Sequence, residues 1–323
     1  MTQTAPQLAP AASLGWSRLP AAYAIPSEPP LLADAQQYCA RLASSHYENF
    51  SVATWFLPRR LRQHFCNVYA YCRISDDLGD EVGDASASLA LLDQWQAELD
   101  ACYAGAPRHP VFVALAETVR QFEIPQHEFS DLLRAFRRDQ TVTRFDTFND
   151  VLAYCRYSAN PVGHLVLYLC GYRDPERQQL SDFTCTALQL ANFWQDVSVD
   201  YGKGRIYLPL EDLRRFNVTE QDISAQGNTP AFCAMMQFEV ERARDWFERG
   251  LPLISQVDRE LAVDLDLFSR GGQEILNAIE RQGFAVLGNR PKISKPRKLA
   301  LVARAALGKL FTRRLTPTSF GVK

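Results

Sequence analysis

Two pairs of aspartates, Asp76/Asp80 and Asp196/Asp200, stand four residues apart in otherwise apolar stretches, with Asp77, Glu81 and Asn192 beside them. On a helix that spacing puts both carboxylates of a pair on one face, and Asn192, Asp196 and Asp200 extend one such row at i, i+4 and i+8. Hard oxygen donors suit Mg²⁺, which keeps part of its water and commonly bridges protein carboxylates to substrate phosphates. The chemistry they point to is a Mg²⁺–diphosphate site, where the metal makes diphosphate a competent leaving group and templates the reaction. A lone D-D-x-x-D or D-x-x-x-D ordinarily marks only a solvated helix face; two, each on an apolar helix, carry the reading. Zinc is disfavoured, because His46, His64, His109, His127 and His164 show no paired ligand spacing. After the second pair comes Tyr201-Gly202-Lys203-Gly204-Arg205-Ile206-Tyr207-Leu208-Pro209. Alone this is an ordinary exposed basic turn; beside Asp200 it reads as a mobile loop whose Lys203 and Arg205 close on phosphate oxygens.

Three helices must position these groups. One follows Leu57-Pro58, with a stripe of Leu61, Phe65, Val68 and Cys72 that runs on into Asp76 and Asp80. A stripe that should face the core thus ends in carboxylates, expensive to bury unless cations or donors meet them. A second helix opens at Asp146-Thr147, where Thr147 and Asp150 have capping-box spacing, and runs through Tyr154 to about Cys170. Asn160-Pro161-Val162-Gly163 interrupts it, and a kink there would open a pocket beside Tyr154, Ser158 and Gly163. The third, Phe183 to Val199, is apolar nearly all round and so central, yet holds Gln189, Asn192 and Asp196.

From about residue 34 to 290 apolar residues recur at three- and four-residue intervals with almost no alternation, which predicts a single all-α bundle. The Pro- and Ala-rich residues 1–33 read as a flexible leader outside the fold. A chain of 323 residues, 47% hydrophobic and 22% charged, excludes disordered and collagen-like classes. The formal charge of −2 gives no general attraction to nucleic acid, so no nucleic-acid partner is expected. Eight cysteines without a C-x-x-C pair read as reduced core thiols. The lack of a signal-like start and of a long apolar run predicts a cytoplasmic protein.

The stretches Tyr69-Ala-Tyr-Cys-Arg-Ile-Ser-Asp-Asp-Leu-Gly-Asp-Glu81, Tyr154-Cys-Arg-Tyr-Ser-Ala-Asn-Pro-Val-Gly163, Leu188-Gln-Leu-Ala-Asn-Phe-Trp-Gln-Asp-Val-Ser-Val-Asp200 and Gly204-Arg-Ile-Tyr-Leu-Pro209 resemble the squalene/phytoene synthase family, the head-to-head prenyl synthases. The resemblance covers roughly residues 40–300. It implies an all-α isoprenoid-synthase fold with a central cavity. It also implies that Asp76, Asp77, Asp80, Asp196 and Asp200 hold Mg²⁺-diphosphate, with Asn192 and Gln189 supporting them and Asn192 joining the metal set. By the same likeness Arg73, Arg205 and Tyr207 grip diphosphate or close the site, and Gly163 lies at the substrate. Tyr69 and Tyr154 would stand over the cationic carbon skeleton, or else be plain core tyrosines.

One departure is informative. Where many members carry Ser-x-Ser-Phe, this chain has His46-Tyr47-Glu48-Asn49-Phe50. Together with Ala-Asn-Phe-Trp-Gln-Asp (191–196) and Arg270-Gly271-Gly272, that looks most like the bacterial hopanoid-pathway branch. Such a member takes presqualene diphosphate, releases diphosphate, rearranges the cation and lets water capture it, with no NADPH expected. His46, Glu48 or Asn49 would orient the water and Phe50 would line the substrate. The alternatives are a condensing member that joins two prenyl diphosphates and a non-catalytic prenyl-lipid-binding relative.

Residues 290–314 hold Arg290, Lys292, Lys295, Arg297, Lys298, Arg304, Lys309, Arg313 and Arg314 without one acidic residue, interleaved with leucines and Phe311. Two readings stand for this 291–323 segment: a basic amphipathic helix on an anionic membrane, at the inner membrane face, or a helix capping the bundle.

Overall fold

The computed structural model describes residues 23–45 and 59–313, and among these every regular element is a helix. In chain order they are α1 (Leu32–Ser45), α2 (Arg62–Asp80), α3 (Ala85–Tyr103), α4 (Pro110–Phe122), α5 (Gln126–Asp139), α6 (Phe148–Ser158), α7 (Asn160–Leu169), α8 (Pro175–Gly202), α9 (Leu210–Arg215), α10 (Glu220–Ser224), α11 (Pro230–Gly250), α12 (Leu253–Gln256), α13 (Arg259–Arg281) and α14 (Lys295–Arg313). Sequence chemistry sets their starts. Thr147 and Asp150 form the expected capping box at α6, while Asp174 and Thr229 cap α8 and α11, each followed by proline in the first turn.

Apolar faces pack into two main cores. The first gathers α1 to α5 around Tyr71, Phe112 and Phe129; the second surrounds α8, where Trp194, Phe193 and Leu190 meet Phe232, Phe247 and Leu276. As the all-round apolar pattern of Phe183–Val199 predicted, α8 is central and touches α6, α7, α11, α12 and α13. Glycines let neighbours come close. A Cβ at Gly250 would lie 2.9 Å from the Thr184 backbone nitrogen, and one at Gly272 would lie 2.3 Å from Cζ of Phe247.

Several details differ from the sequence reading. The chain does break at Ala159, between α6 and α7, and Gly163 just after the break faces α8: a Cβ there would sit 2.3 Å from Ser181 Oγ and 2.6 Å from Cys185 Sγ. Gly163 is therefore a place where α7 packs closely on α8. The packed chain also begins earlier than residue 34, since α1 starts at Leu32 and the Tyr23 hydroxyl reaches Asp77. At the other end α14 packs on α13 through Leu301, Ala305 and Ala306 against Val263 and Leu267, with Arg297 on Glu274 at 3.1 Å. The bundle-capping reading thus describes this contact, although Leu299 remains 70% exposed. All eight cysteines are free, and no described helix is long and apolar enough to cross a membrane.

Candidate active site

The aspartate rows occupy the C-terminal turns of α2 and α8. There the negative end of the helix dipole opposes further negative charge, so cations must come from elsewhere. In α2, Arg73 ion-pairs with Asp77 and lies 3.5 Å from Asp76. Asp77 is turned inward and also accepts from the Tyr23 hydroxyl at 2.6 Å. Asp80 points the other way and meets Arg205 at 2.9 Å and Lys203 at 3.2 Å, both from the loop after α8. On α8, Asp196 is held by Arg290, with Nη2 to Oδ2 at 2.9 Å, and accepts weakly from Asn192 at 3.5 Å. Gln189 lies one turn before Asn192, partly buried.

Each row thus has one paired carboxylate and one that is under-neutralised. Burial and the neighbouring Asp80 push Asp76 up to about 6, with Arg73 opposing; burial and Asp196 push Asp200 up to about 7, with Lys203 and Arg205 opposing. Among the described residues no three His, Cys, Asp or Glu side chains stand close enough to hold a metal by themselves. The donors are nonetheless all hard oxygens, facing one another across a cleft where arginine and lysine now supply the positive charge. That set fits Mg²⁺ bound jointly with a phosphate-bearing ligand rather than in a protein-only cage. Asp76, Asp80, Asn192, Asp196 and Asp200 would hold it.

The loop after α8 is less free than its glycines suggest. Gly204 takes φ +81°, the Arg205 amide returns to Asp200 O at 2.8 Å, and Ile206 N bonds Thr143 O at 2.9 Å. Arg144 anchors it further, donating to Gly204 O at 2.7 Å while gripping Glu220. The loop therefore presents Arg205 and Tyr207 from a braced position. Tyr207 stacks on Phe193 with centroids 3.9 Å apart, and Phe145 and Tyr154 complete an aromatic wall. A small pocket at this wall is lined by Phe193, Val197, Asp200, Arg205, Ile206, Tyr207 and Leu208. Tyr69, partly buried on α2, lies in the field of Arg73, Asp76 and Asp77, apart from the wall.

The structure thus brings together Asp76, Asp80, Asp196, Asp200, Arg205 and Tyr207, and sets Tyr154 directly behind Tyr207. It turns Asp77 and Arg73 toward each other. His46, Glu48, Asn49 and Phe50 lie outside the described residues. Sequence reasoning missed Asp139, which receives the Tyr154 hydroxyl at 2.7 Å, and Tyr23. It placed Arg290 only in the basic tail. Asp139 follows Arg137-Arg138 at the end of a polar helix, and no periodic signal marks it; Tyr23 sits among prolines that suggested no packing.

Comparison with known proteins agrees with this geometry. The family model for squalene/phytoene synthase matches residues 33–297. The chain is 30% identical to the 15-cis-phytoene synthase of Synechococcus elongatus over 290 residues, 85% of this chain and 94% of that protein. Among solved structures, the squalene synthase HpnC from Alicyclobacillus acidocaldarius matches with TM-score 0.75 and 47% identity, covering 78% of this chain and 95% of that one. A dehydrosqualene synthase in complex with ligand matches with TM-score 0.78 and 27% identity, covering 88% and 98%. With an all-helical body and a match across most of its length, the chain belongs to the squalene/phytoene synthase family.

Proposed function

We propose that this enzyme converts presqualene diphosphate to hydroxysqualene in a Mg²⁺-dependent reaction, releasing diphosphate and letting water capture the rearranged cation. The observation that carries this reading is the 47% identity to the squalene synthase HpnC, against 30% to the phytoene synthase of Synechococcus elongatus. The His46–Phe50 segment, in place of Ser-x-Ser-Phe, supports it from the sequence.

Bound at the facing aspartates, Mg²⁺ would supply Lewis-acid neutralisation of the leaving diphosphate. The chain's own cations do the rest of the anchoring. Arg205 and Lys203, which now lie on Asp80, and Arg290, on Asp196, are the groups that can turn from carboxylate to phosphate. As diphosphate leaves, the faces of Phe193, Tyr207, Tyr154 and Phe145 offer negative quadrupole to the carbon cation and exclude bulk water from it. His46, Glu48 and Asn49 are the groups we assign to holding the one capturing water. No nicotinamide is required.

Purified protein with Mg²⁺ and no NADPH should form a C30 alcohol from presqualene diphosphate and leave farnesyl diphosphate untouched, read by mass spectrometry. Consumption of farnesyl diphosphate would replace this reading with a condensing synthase, which the likeness to phytoene synthase favours. Inertness toward both would leave a prenyl-lipid-binding protein. For a product insoluble in water, we further propose peripheral contact with anionic membrane through Lys292, just before α14, and Lys295, Lys298 and Leu299 in its first turns, all exposed. Charge reversal of the three lysines should abolish co-sedimentation with anionic vesicles; unchanged binding would remove the proposal.

A further inference from the structure

Tyr23 stands ahead of α1, in the stretch whose composition predicted a leader outside the fold. Its hydroxyl nevertheless donates to Asp77 Oδ2 at 2.6 Å, across 54 residues of sequence. Chain ends are ordered where something ties them down. Here the ring is partly buried and packs against the first core, as Tyr38 and Leu42 do. Between that ring and α1 lie Pro26, Pro29 and Pro30, each with its φ fixed, which limits the freedom the segment loses on docking.

What Tyr23 touches is the inner end of the α2 site. Asp77 is 5% exposed, and a buried carboxylate requires donors. It has them on both oxygens: Oδ2 accepts from Tyr23, and Oδ1 takes the ion pair with Arg73. Two donors on two oxygens fix the plane of the carboxylate. Arg73, Asp76 and Asp77 share one face of α2 at i, i+3 and i+4, so the guanidinium can serve either carboxylate. Its Nη1 lies 3.5 Å from Asp76 Oδ2, and its Nε is buried without a hydrogen-bond partner among the described residues. Lys203, Arg205 and Arg290 all approach from beyond α8, whereas Arg73 is the one basic residue in the last two turns of α2.

The series Tyr23 to Asp77 to Arg73 to Asp76 is made of hydrogen bonds and ion pairs throughout. Its first member decides how strongly the third is held. A carboxylate shared with a phenol draws less on its arginine than one that has the arginine alone. A carboxylate fixed in plane also cannot swing round to join Asp76 and add a third negative charge to the row.

We propose that Tyr23 is a positioning residue for the diphosphate group: by holding Asp77 inward and sharing its charge, it keeps Arg73 beside Asp76 with donors open to phosphate oxygens. The segment ahead of α1 is then a working part of the site. This rests on reading the facing aspartates as a Mg²⁺–diphosphate site, and is indifferent to which prenyl diphosphate is the substrate.

The test titrates the full-length protein with inorganic diphosphate in the presence of Mg²⁺, by calorimetry, with thermal melting alongside. Tyr23→Phe keeps the ring on the core and removes only the hydroxyl. It should weaken Mg²⁺-dependent diphosphate binding about fivefold, the scale of one hydrogen bond. Asp77→Asn should weaken binding at least as much, and Tyr23→Phe added to Asp77→Asn should then change it by less than about 1.5-fold, because the route runs through that carboxylate. A tie that served folding alone would lower the melting temperature and leave the affinity of the folded protein as it was. Affinity of Tyr23→Phe within about 1.5-fold of wild type, or tighter, therefore overturns the proposal, as does a loss that persists undiminished in the Asp77→Asn background. If Asp77→Asn does not fold, the affinity of Tyr23→Phe decides by itself. Wild type without Mg²⁺-dependent diphosphate binding would overturn this proposal and the Mg²⁺–diphosphate reading together; wild type that binds, with Tyr23→Phe binding equally, overturns this proposal alone.

Discussion

The half of the molecule built on α1 to α5 and the half built around α8 bury similar polar groups and treat them differently. In the first, Asn67 is fully buried and donates to Ala114 O at 3.1 Å and Thr118 Oγ1 at 3.0 Å. Tyr71 reaches Phe129 O at 2.8 Å, and the indole of Trp95 donates to Ser75 Oγ at 3.0 Å. Near α6 and α8, Asp139 Oδ1, Ser158 Oγ and the indole nitrogen of Trp194 make no hydrogen bond among the described residues, and Asp76 and Asp200 face like charges. Native interiors rarely leave such groups open without reason. The core around Tyr71 is a completed brace; the site end of the bundle, where Arg73 Nε on α2 and Asp139 Oδ1 on α5 also lack partners among the described residues, has polar capacity that a ligand can complete.

If that division is right, changes around α8 should remove activity and changes in the brace should remove stability. The largest effect is expected at the aspartates. Asp196→Asn with Asp200→Asn should lower kcat/KM by about 10³-fold or more, the scale of losing preorganised charge stabilisation, with no fall in melting temperature. The sign follows from the raised carboxyl of Asp200, about 7 in the folded chain. A carboxyl raised on folding favours the folded state below the ordinary carboxylate range, and that contribution is lost as pH rises toward 7. Asparagine should therefore flatten this part of the pH–stability curve, and chelating Mg²⁺ should stop turnover without unfolding. A large drop in melting temperature instead would put these aspartates in the brace.

Changes in the brace come next. Asn67→Ala removes the bonds donated to Ala114 O and Thr118 Oγ1 and the acceptor of the Gln63 amide, which should lower unfolding free energy by about 2–3 kcal/mol while leaving kcat of the folded fraction unchanged. Gly250→Ala tests the contact of α11 with α8, because its new methyl would meet the Thr184 backbone, which cannot swing aside. Overpacking of this kind costs about 1–3 kcal/mol. Urea midpoints and kcat measured on the same samples separate the two effects, and a kcat loss at Asn67 would show that the brace and the site are coupled.

What was legible in the sequence followed the same line. The aspartate rows, the capping box at Thr147 and the central apolar helix were readable because each is a local periodic pattern, and the structure sets them where periodicity implies. The aspartates stood out because their residue type contradicts their stripe. Asp139 had no such contrast: it ends a strongly amphipathic helix among arginines, and only the folded chain shows that Tyr154, fifteen residues on, turns back onto it. Tyr23 and Arg290 likewise enter through long-range contacts, one from a proline-rich stretch and one from a basic tail, where composition suggested solvent. Gly163 shows a different limit. The Asn-Pro-Val-Gly break was real, but a glycine can serve close helix packing as well as a cavity, and local sequence does not distinguish the two.

Two serines one hydroxyl apart in chemistry give the smallest and sharpest test. Ser75 accepts from Trp95 and itself donates to Tyr71 O at 2.8 Å, so Ser75→Ala leaves an indole N–H unpaired and should cost about 1–2 kcal/mol of stability with no kinetic change. Ser158 Oγ is buried without a partner among the described residues, so within these its hydroxyl was desolvated without return on folding. Ser158→Ala should leave stability unchanged or raise it by up to about 1 kcal/mol. If the open oxygen of Ser158 is completed by substrate, the same variant should raise KM about fivefold, the equivalent of one hydrogen bond of roughly 1 kcal/mol, with kcat unaltered. A loss of stability at Ser158 matching that at Ser75 would mean that its hydroxyl already has a partner in solution, and the contrast between the two halves would then rest on Asp139 and the aspartate rows alone.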